Sequence, residues 1–524
     1  MGHDRRTLLG WLVGFAAAPA AAVAATPFDF VRRLLGGPQA SPAAGAGAAV
    51  RHVTPDGEGN RDGLSWANAA DARRLNELIE EAGPGGTILI AADRGRYTLQ
   101  GSITLSHGGA AGRPVTIKGV NAVDGTDARA EIWGERADPF TASGETGAEC
   151  FRFVRGADHL AFKNLHFRNI GNGCFRIGAP VQGLAIEDCT FRNVYRFIEN
   201  TVSGEEADAS LSEFVVRRCS GSSLERSFLR IRYRSNNGLI EDCRADSEGN
   251  EGDPFAVGCA LEDAANTIIY RRCVMENFRQ SAGEGAYWNA DGFSDEWDNY
   301  EIRYEQCEAR GATDAGFDCK SAYVVLQNCL AEDNKINIKI WSPRSTIEGC
   351  ISRRPNWRGR GQENGGSSHF WYGHRPGIAS RITNLIVEDE NPTAVFWFEG
   401  PRVRVQVDGY ALACHDEATL IAASEENPGG TVTFNPPTMA PASRRAPAIV
   451  AAGNGLRVQK GLWAANPRPS YAYQWRRNGA PIAGATQDSY APAAADAGQA
   501  LSVSVTARNS AGAATGTSQP FVHA

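Results

Sequence analysis

The chain has 524 residues and carries 53 Lys and Arg against 60 Asp and Glu, a net charge of −7, which argues against a generic nucleic-acid binder. With 42% hydrophobic and 22% charged residues it is neither a disordered acidic chain nor a membrane bundle. Glycine is abundant at 58 residues and methionine rare at 3, a composition suited to turns and strands rather than helices.

Residues 1–25 read as an export signal. Arg5-Arg6 precedes an Ala-rich apolar run from Leu8 to Val23, and Ala22-Val23-Ala24 has the A-x-A form of a signal-peptidase site, with Val23-Ala24-Ala25 as a second choice. Arg5-Arg6-Thr7-Leu8-Leu9 resembles a bacterial twin-arginine signal, an ordinary secretory signal being the alternative. The expected location is secreted or periplasmic, with no membrane association after cleavage. Residues 26–49 read as a linker, rich in Ala, Gly and Pro from Gly36 onward.

From residue 50 the pattern changes. A short helical stretch, Ala69 to Ala82, carries apolar Leu75, Leu78 and Ile79. Gly83-Pro84-Gly85-Gly86 ends it, and the strand Thr87–Ile90 follows. This reads as a helical cap on the open end of a repeat structure, which terminal repeats require. The progression Asp62-Gly63-Leu64-Ser65-Trp66, then Thr87-Ile88, then Pro114-Val115-Thr116-Ile117-Lys118-Gly119 resembles the N-terminal part of pectate-lyase-like right-handed β-helix proteins. That resemblance implies a fold more than a reaction.

Seven cysteines share one context, each closing a short apolar run: Cys189, Cys219, Cys243, Cys273, Cys307, Cys329 and Cys350, at steps of 30, 24, 30, 34, 22 and 21 residues, with Leu165 as an eighth copy. Irregular steps with a floor near 21 indicate one structural unit per step plus insertions. The units hold short β-type runs broken by Gly, Asn and Asp. They predict a parallel β-helix over 50–435 with the cysteines stacked inside as a ladder of small apolar groups. Buried free thiols are expected, some disulfides being the alternative. The absence of a C-x-x-C pair argues against a cysteine metal site.

Residues 436–447 read as a Pro/Ala/Arg linker and 448–524 as a β-sandwich. Tyr471-Ala472-Tyr473-Gln474-Trp475, the turn Asn478-Gly479, Tyr490 and the alternating run Leu501–Ala507 resemble bacterial immunoglobulin-like modules. Such a module implies either a spacer or a carbohydrate-binding part.

The densest polar cluster reads Asn289-Ala290-Asp291-Gly292-Phe293, then Asp314-Ala315-Gly316-Phe317-Asp318, then Asn337-Ile338-Lys339. If Cys307 and Cys329 hold equivalent places, Asp291 and Asp314 share a face one coil apart and Lys339 lies on the next coil. Grouped carboxylates suit a hard cation such as Ca²⁺. The string resembles polysaccharide lyases of family nine, pectate lyases on a right-handed β-helix with N-A-D-G-F, D-D-G-W-D and G-F-K segments on successive coils. The resemblance implies Asp291, Asp314 and Asp318 as Ca²⁺ ligands and Lys339 as the base. It departs at Ala315, where a carboxylate is expected, and at Asn337-Ile338. Lys335 and Lys320 are competing bases.

The implied chemistry is β-elimination on a uronic-acid polymer. The C5 proton lies next to a carboxylate, whose neutralisation stabilises the developing enolate. A lysine base must lose its proton first, which a neighbouring cation favours by repulsion. Arg344, Arg353 and Arg354, with Arg358 and Arg360, suit substrate carboxylates. Trp288 and Trp341, with Trp297, Trp357 and Trp371, offer faces for sugar rings. The expected partner is an acidic polysaccharide bound by a monomer. A glycoside hydrolase using Asp291 and Asp318, a uronate epimerase on the same fold and a non-catalytic carbohydrate-binding surface protein are the alternatives.

Overall fold

A computed structural model describes residues 49–200, 209–251, 253–280, 289–358, 366–424 and 429–522. The export signal expected over 1–25, and all of the linker expected over 26–49 except Ala49, lie outside the described residues. From Val50 to Asn435 the strands pair in parallel, each with the strand one coil ahead. This is the right-handed parallel β-helix that the sequence predicts. The helix at its N-terminal end is Leu75–Ala82, shorter than expected. Two 3₁₀ turns, Trp66–Asn68 and Ala72–Arg74, take up the preceding residues. Leu75, Leu78 and Ile79 are buried on the first coils, so the helix caps the apolar end of the solenoid.

The coils stack in three faces. One carries Phe293–Asp295, Ala315–Cys319, Ile336–Ile340, Ser368–Tyr372 and Ala394–Phe398 in unbroken register. A second carries Tyr300–Glu305, Tyr323–Gln327 and Arg344–Glu348. The third carries Glu308–Arg310, Leu330–Glu332 and Ile351–Arg353. Alternation sends one side chain in and the next out. The inward column on the first face is Phe293, Phe317, Ile338, Phe370 and Phe396, all buried. The Phe293 and Phe317 rings stack 5.1 Å apart.

The cysteine repeat marks the corner between the second and third faces. The residue just before each ladder position is left-handed: Asn164, Asp188, Arg218, Asp242, Arg272, Gln306 and Asn328 have φ between 51° and 55°, and Gly349 has 62°. One residue in that region redirects the chain, at roughly 1–2 kcal/mol for a side-chain-bearing residue. The turn aims the following thiol into the core. Cys273 and Cys329 donate to carbonyl oxygens of the preceding coil, Ile240 O at 3.4 Å and Tyr304 O at 3.3 Å. All twelve cysteines are free and eleven are buried. Burial pushes the Cys243 and Cys350 thiols well up.

Beyond Asn435 the pairing becomes antiparallel. Met439–Arg445 is a strand bonded to Leu462–Asn466, where a linker over 436–447 was expected. The Pro/Ala/Arg composition hid it, because an edge strand tolerates proline. Ser470–Arg477, Ala500–Asn509 and Gly512–Thr517 form a second antiparallel sheet. A separate core gathers Leu456, Trp463, Trp475, Leu501, Val503 and Val505. No cysteine takes part.

Candidate active site

The glycines of the two Asp-bearing segments are steric necessities. A Cβ on Gly292 would stand 2.8 Å from the Ala309 Cβ and Gly316 O, and one on Gly316 would stand 2.6 Å from Asn334 Nδ2. Bare backbone there lets consecutive coils close up and brings Asp291, Asp314 and Asp318 together. One carboxylate oxygen from each lies within 4.8 Å of the others. Asn337 serves the same corner from inside, donating to Ser352 Oγ and to Arg353 O, both at 2.9 Å.

Lys339 follows from strand alternation. Ile338 and Ile340 point into the core, so Lys339 points out, in register with Asp318 one coil back. Its Nζ lies 2.8 Å from Asp314 Oδ2 and 3.8 Å from Asp318 Oδ2. Burial pulls the Lys339 pKa down, but Asp314, Asp318 and Asp291 outweigh it and the net displacement is upward. Lys320 reaches Asp318 at 3.1 Å and Glu296 at 2.6 Å, and those carboxylates likewise outweigh its burial. Lys335, one coil from Asp314, is shifted the other way by burial and by the Lys339 charge. Asp291 is pushed well up by burial first and then by repulsion from Asp314 and Asp318.

The carboxylates are underused by the protein. Asp291 Oδ1 accepts from Ala315 N at 2.7 Å, but Asp291 Oδ2 and Asp318 Oδ1 are buried without a hydrogen-bond partner. Buried charged oxygens without partners are costly. Three hard oxygen donors with two lone oxygens fit a Ca²⁺ ion that takes its remaining ligands from water or substrate. Ala315 stands beside Asp291 on the next coil, so the fourth carboxylate implied by the family resemblance has no counterpart.

The cluster floors an open groove. On one side a cavity of ≈ 760 Å³ is lined by Asp314, Lys335, Lys339, Trp341, Trp371 and Trp397, among others. On the other, a cavity of ≈ 400 Å³ is lined by Arg230, Glu262, Glu296 and Trp297, among others. Trp341 lines the larger cavity and Trp297 the smaller, while Trp288 and Arg360 lie outside the described residues.

Arg344, Arg353 and Arg354, expected to bind substrate, are elsewhere. Arg344 opens a strand of the second face. Arg353 pairs with Glu388 at 2.8 Å on the third face, and the adjacent Arg354 pairs with Glu332. Closeness in sequence to Lys339 misled, because only about five residues of each coil belong to the site face. His369 is buried and bonded to Ser352 Oγ at 2.8 Å, a packing role. The arginines on the site face come from far earlier: Arg176 and Arg230 occupy outward positions two coils apart, with Glu199 between them. Arg230 pairs with Glu262 at 2.8 Å. Only the coil register reveals them.

The fold and this groove define a parallel β-helix protein with a clustered carboxylate–lysine site. The sequence matches no protein family and no curated protein. Among solved structures it is similar to pectate lyase Pel9A, at 15% identity and TM-score 0.40 over 65% of this chain and 76% of that one. It is also similar to the A-module of the Azotobacter vinelandii mannuronan C-5 epimerase AlgE6, at 13% identity and TM-score 0.47 over 69% and 92%. A third is the GH136 lacto-N-biosidase from Eubacterium ramulus, at 10% identity and TM-score 0.38 over 74% and 67%. At such distances the likeness is one of fold.

Proposed function

We propose that this protein is an exported polysaccharide lyase that cleaves a uronic-acid-containing polymer by β-elimination. Asp291, Asp314 and Asp318 would hold Ca²⁺, and Lys339 would take the C5 proton. The observation that carries this reading is the Lys339 ammonium standing 2.8 Å from Asp314 inside a cluster of three buried carboxylates on the floor of a groove. A bound Ca²⁺ would supply positive charge for the substrate carboxylate and the enolate it becomes. Lys339 takes a proton only after losing its own, which requires the carboxylates that hold its ammonium to be otherwise engaged. Lys320, itself paired with Glu296, holds Asp318 through the same Oδ2 that Lys339 faces at 3.8 Å.

The test is ultraviolet absorbance from unsaturated uronate ends, on a panel of acidic polysaccharides with calcium or with chelator. An increase that chelator abolishes supports the reading. New reducing ends without that absorbance would replace it with hydrolysis, and inverted uronates without chain cleavage would replace it with epimerisation.

A further inference from the structure

The cationic side chains of the groove lie at its centre and on its N-terminal side, where Arg176 and Arg230 share the outward column of Lys339. On the C-terminal side of Lys339 the outward column continues as Trp371 and then Trp397 in strict register. Successive coils stand about 4.8 Å apart, so the two indoles belong to one aromatic row. Trp341 extends it sideways, its ring 4.7 Å from that of Trp371, and the Lys339 Nζ lies 5.6 Å from the Trp371 ring. Among the described residues no arginine lines this cavity. Its lysines, Lys335 and Lys339, stand at the central end, and its far end carries Glu399, which accepts from Trp397 Nε1 at 2.5 Å.

The other side of the centre holds paired charges. Glu262, Asp263, Glu296 and Asp298 line the smaller cavity, where Arg230 and Arg232 pair with Glu262, Arg232 with Asp263 at 2.9 Å, and Lys320 with Glu296 at 2.6 Å. Arg375 also lies near the centre, 5.5 Å over the Trp297 ring. A polymer of uronates alone would place a carboxylate at every sugar, hence beside Glu399 on the tryptophan side. Like charges repel, and among the described residues no arginine or lysine is paired with Glu399. A neutral sugar suits that side, and an indole face suits the apolar face of a pyranose.

Resting on the lyase reading for the reaction itself, we propose that the substrate is an acidic heteropolysaccharide in which each uronate has a neutral sugar as its neighbour on the Trp371 side. The uronate sits over Asp318 and Lys339, and a neutral pyranose stacks on Trp371 and Trp397.

Calorimetric titration of the full chain with oligosaccharides of equal length tests this, using wild type and Lys339→Gln in calcium. One series is fully uronic and the other alternates uronate with neutral hexose. The alternating series should bind at least about tenfold more tightly, and Trp397→Ala should remove most of that advantage. Glu399→Gln, which removes the charge and keeps an acceptor for Trp397 Nε1, should strengthen binding of the uronic series alone. Equal or tighter binding of the fully uronic series by wild type, or an advantage intact in folded Trp397→Ala, would overturn the proposal. If Trp397→Ala does not fold, the wild-type comparison and Glu399→Gln decide. Failure of the lyase reading shows separately, as binding preference without unsaturated product from any polymer.

Discussion

Lys339 and Asp318 occupy the same outward position on consecutive coils, and the Lys339 Nζ also contacts Asp314 at 2.8 Å. A lysine so placed keeps its proton, since the three aspartates outweigh the effect of burial. The same contacts that hold it charged also hold it over the groove floor. Release of that proton therefore depends on what the carboxylates bind.

Replacing Lys339 by Gln should lower turnover by about 10²–10⁴-fold, the usual weight of a positioned general base. Polymer binding should change little. Because the base works only when unprotonated and its pKa is displaced upward, the wild-type rate should climb as pH rises into the alkaline range. Unchanged turnover in Lys339→Gln, with the same pH profile, would pass the role to Lys335.

Calcium should raise Tm by a few degrees at saturating concentration, since a ligand at 100 Kd adds about 2.7 kcal/mol. Asp318→Asn removes charge from an oxygen that has no protein partner and should abolish most of that shift. Differential scanning calorimetry with and without chelator measures both. A Tm indifferent to calcium in wild type would leave the aspartates without a metal role.

The ladder makes a prediction about thiols. Eleven cysteines are buried, and Cys414 is partly exposed. An aromatic disulfide reagent should react with at most one thiol per folded chain, and with twelve after denaturation. Fewer than twelve under denaturing, non-reducing conditions would reveal disulfides.

The solenoid was legible because the Cys spacing repeats a physical unit: each step ends where a side chain must fill the same small corner. The cap was legible from Leu75, Leu78 and Ile79, although the 3₁₀ turns before them lack a 3.6-residue signature. The Asp291, Asp314, Asp318 and Lys339 grouping was legible because motif spacing matched one coil. The arginines were not. Arg344 and Arg353 are near Lys339 in sequence but on other faces, whereas Arg230 is 109 residues away and shares its face. Insertions of variable length separate chain distance from coil distance, and only register restores it. The left-handed corner was equally hidden, since Arg218, Arg272 and Gln306 are not residues that announce positive φ.

That corner yields its own test. Gln306 has φ 54° and is followed by buried Cys307. Gln306→Gly should keep or slightly raise stability, as relief of strain opposes the extra freedom of the unfolded chain. Gln306→Val should cost about 1–2 kcal/mol, because a branched Cβ is least tolerated there. Denaturant melts of the two variants should separate in that order, and coincident midpoints would mean that the corner is not strained.

Asp291 connects the site to stability. Its folded-state pKa is raised by burial and by Asp314 and Asp318, so in the metal-free protein the folded form holds this proton more tightly than the unfolded form. Stability from that source is complete below the unfolded value of about 3.9 and is lost as pH rises through the higher folded value. Asp291→Asn carries no such proton. In chelator, the stability of Asp291→Asn relative to wild type should therefore increase as pH rises above about 4, then level off once Asp291 is ionised in both states. Calcium should reverse the order at neutral pH, because only the wild-type carboxylate contributes to the ion. Paired thermal melts from pH 4 to 9 give the comparison. A wild-type chain more stable than Asp291→Asn throughout that range in chelator would mean that the charge at Asp291 is compensated within the fold and not reserved for a cation.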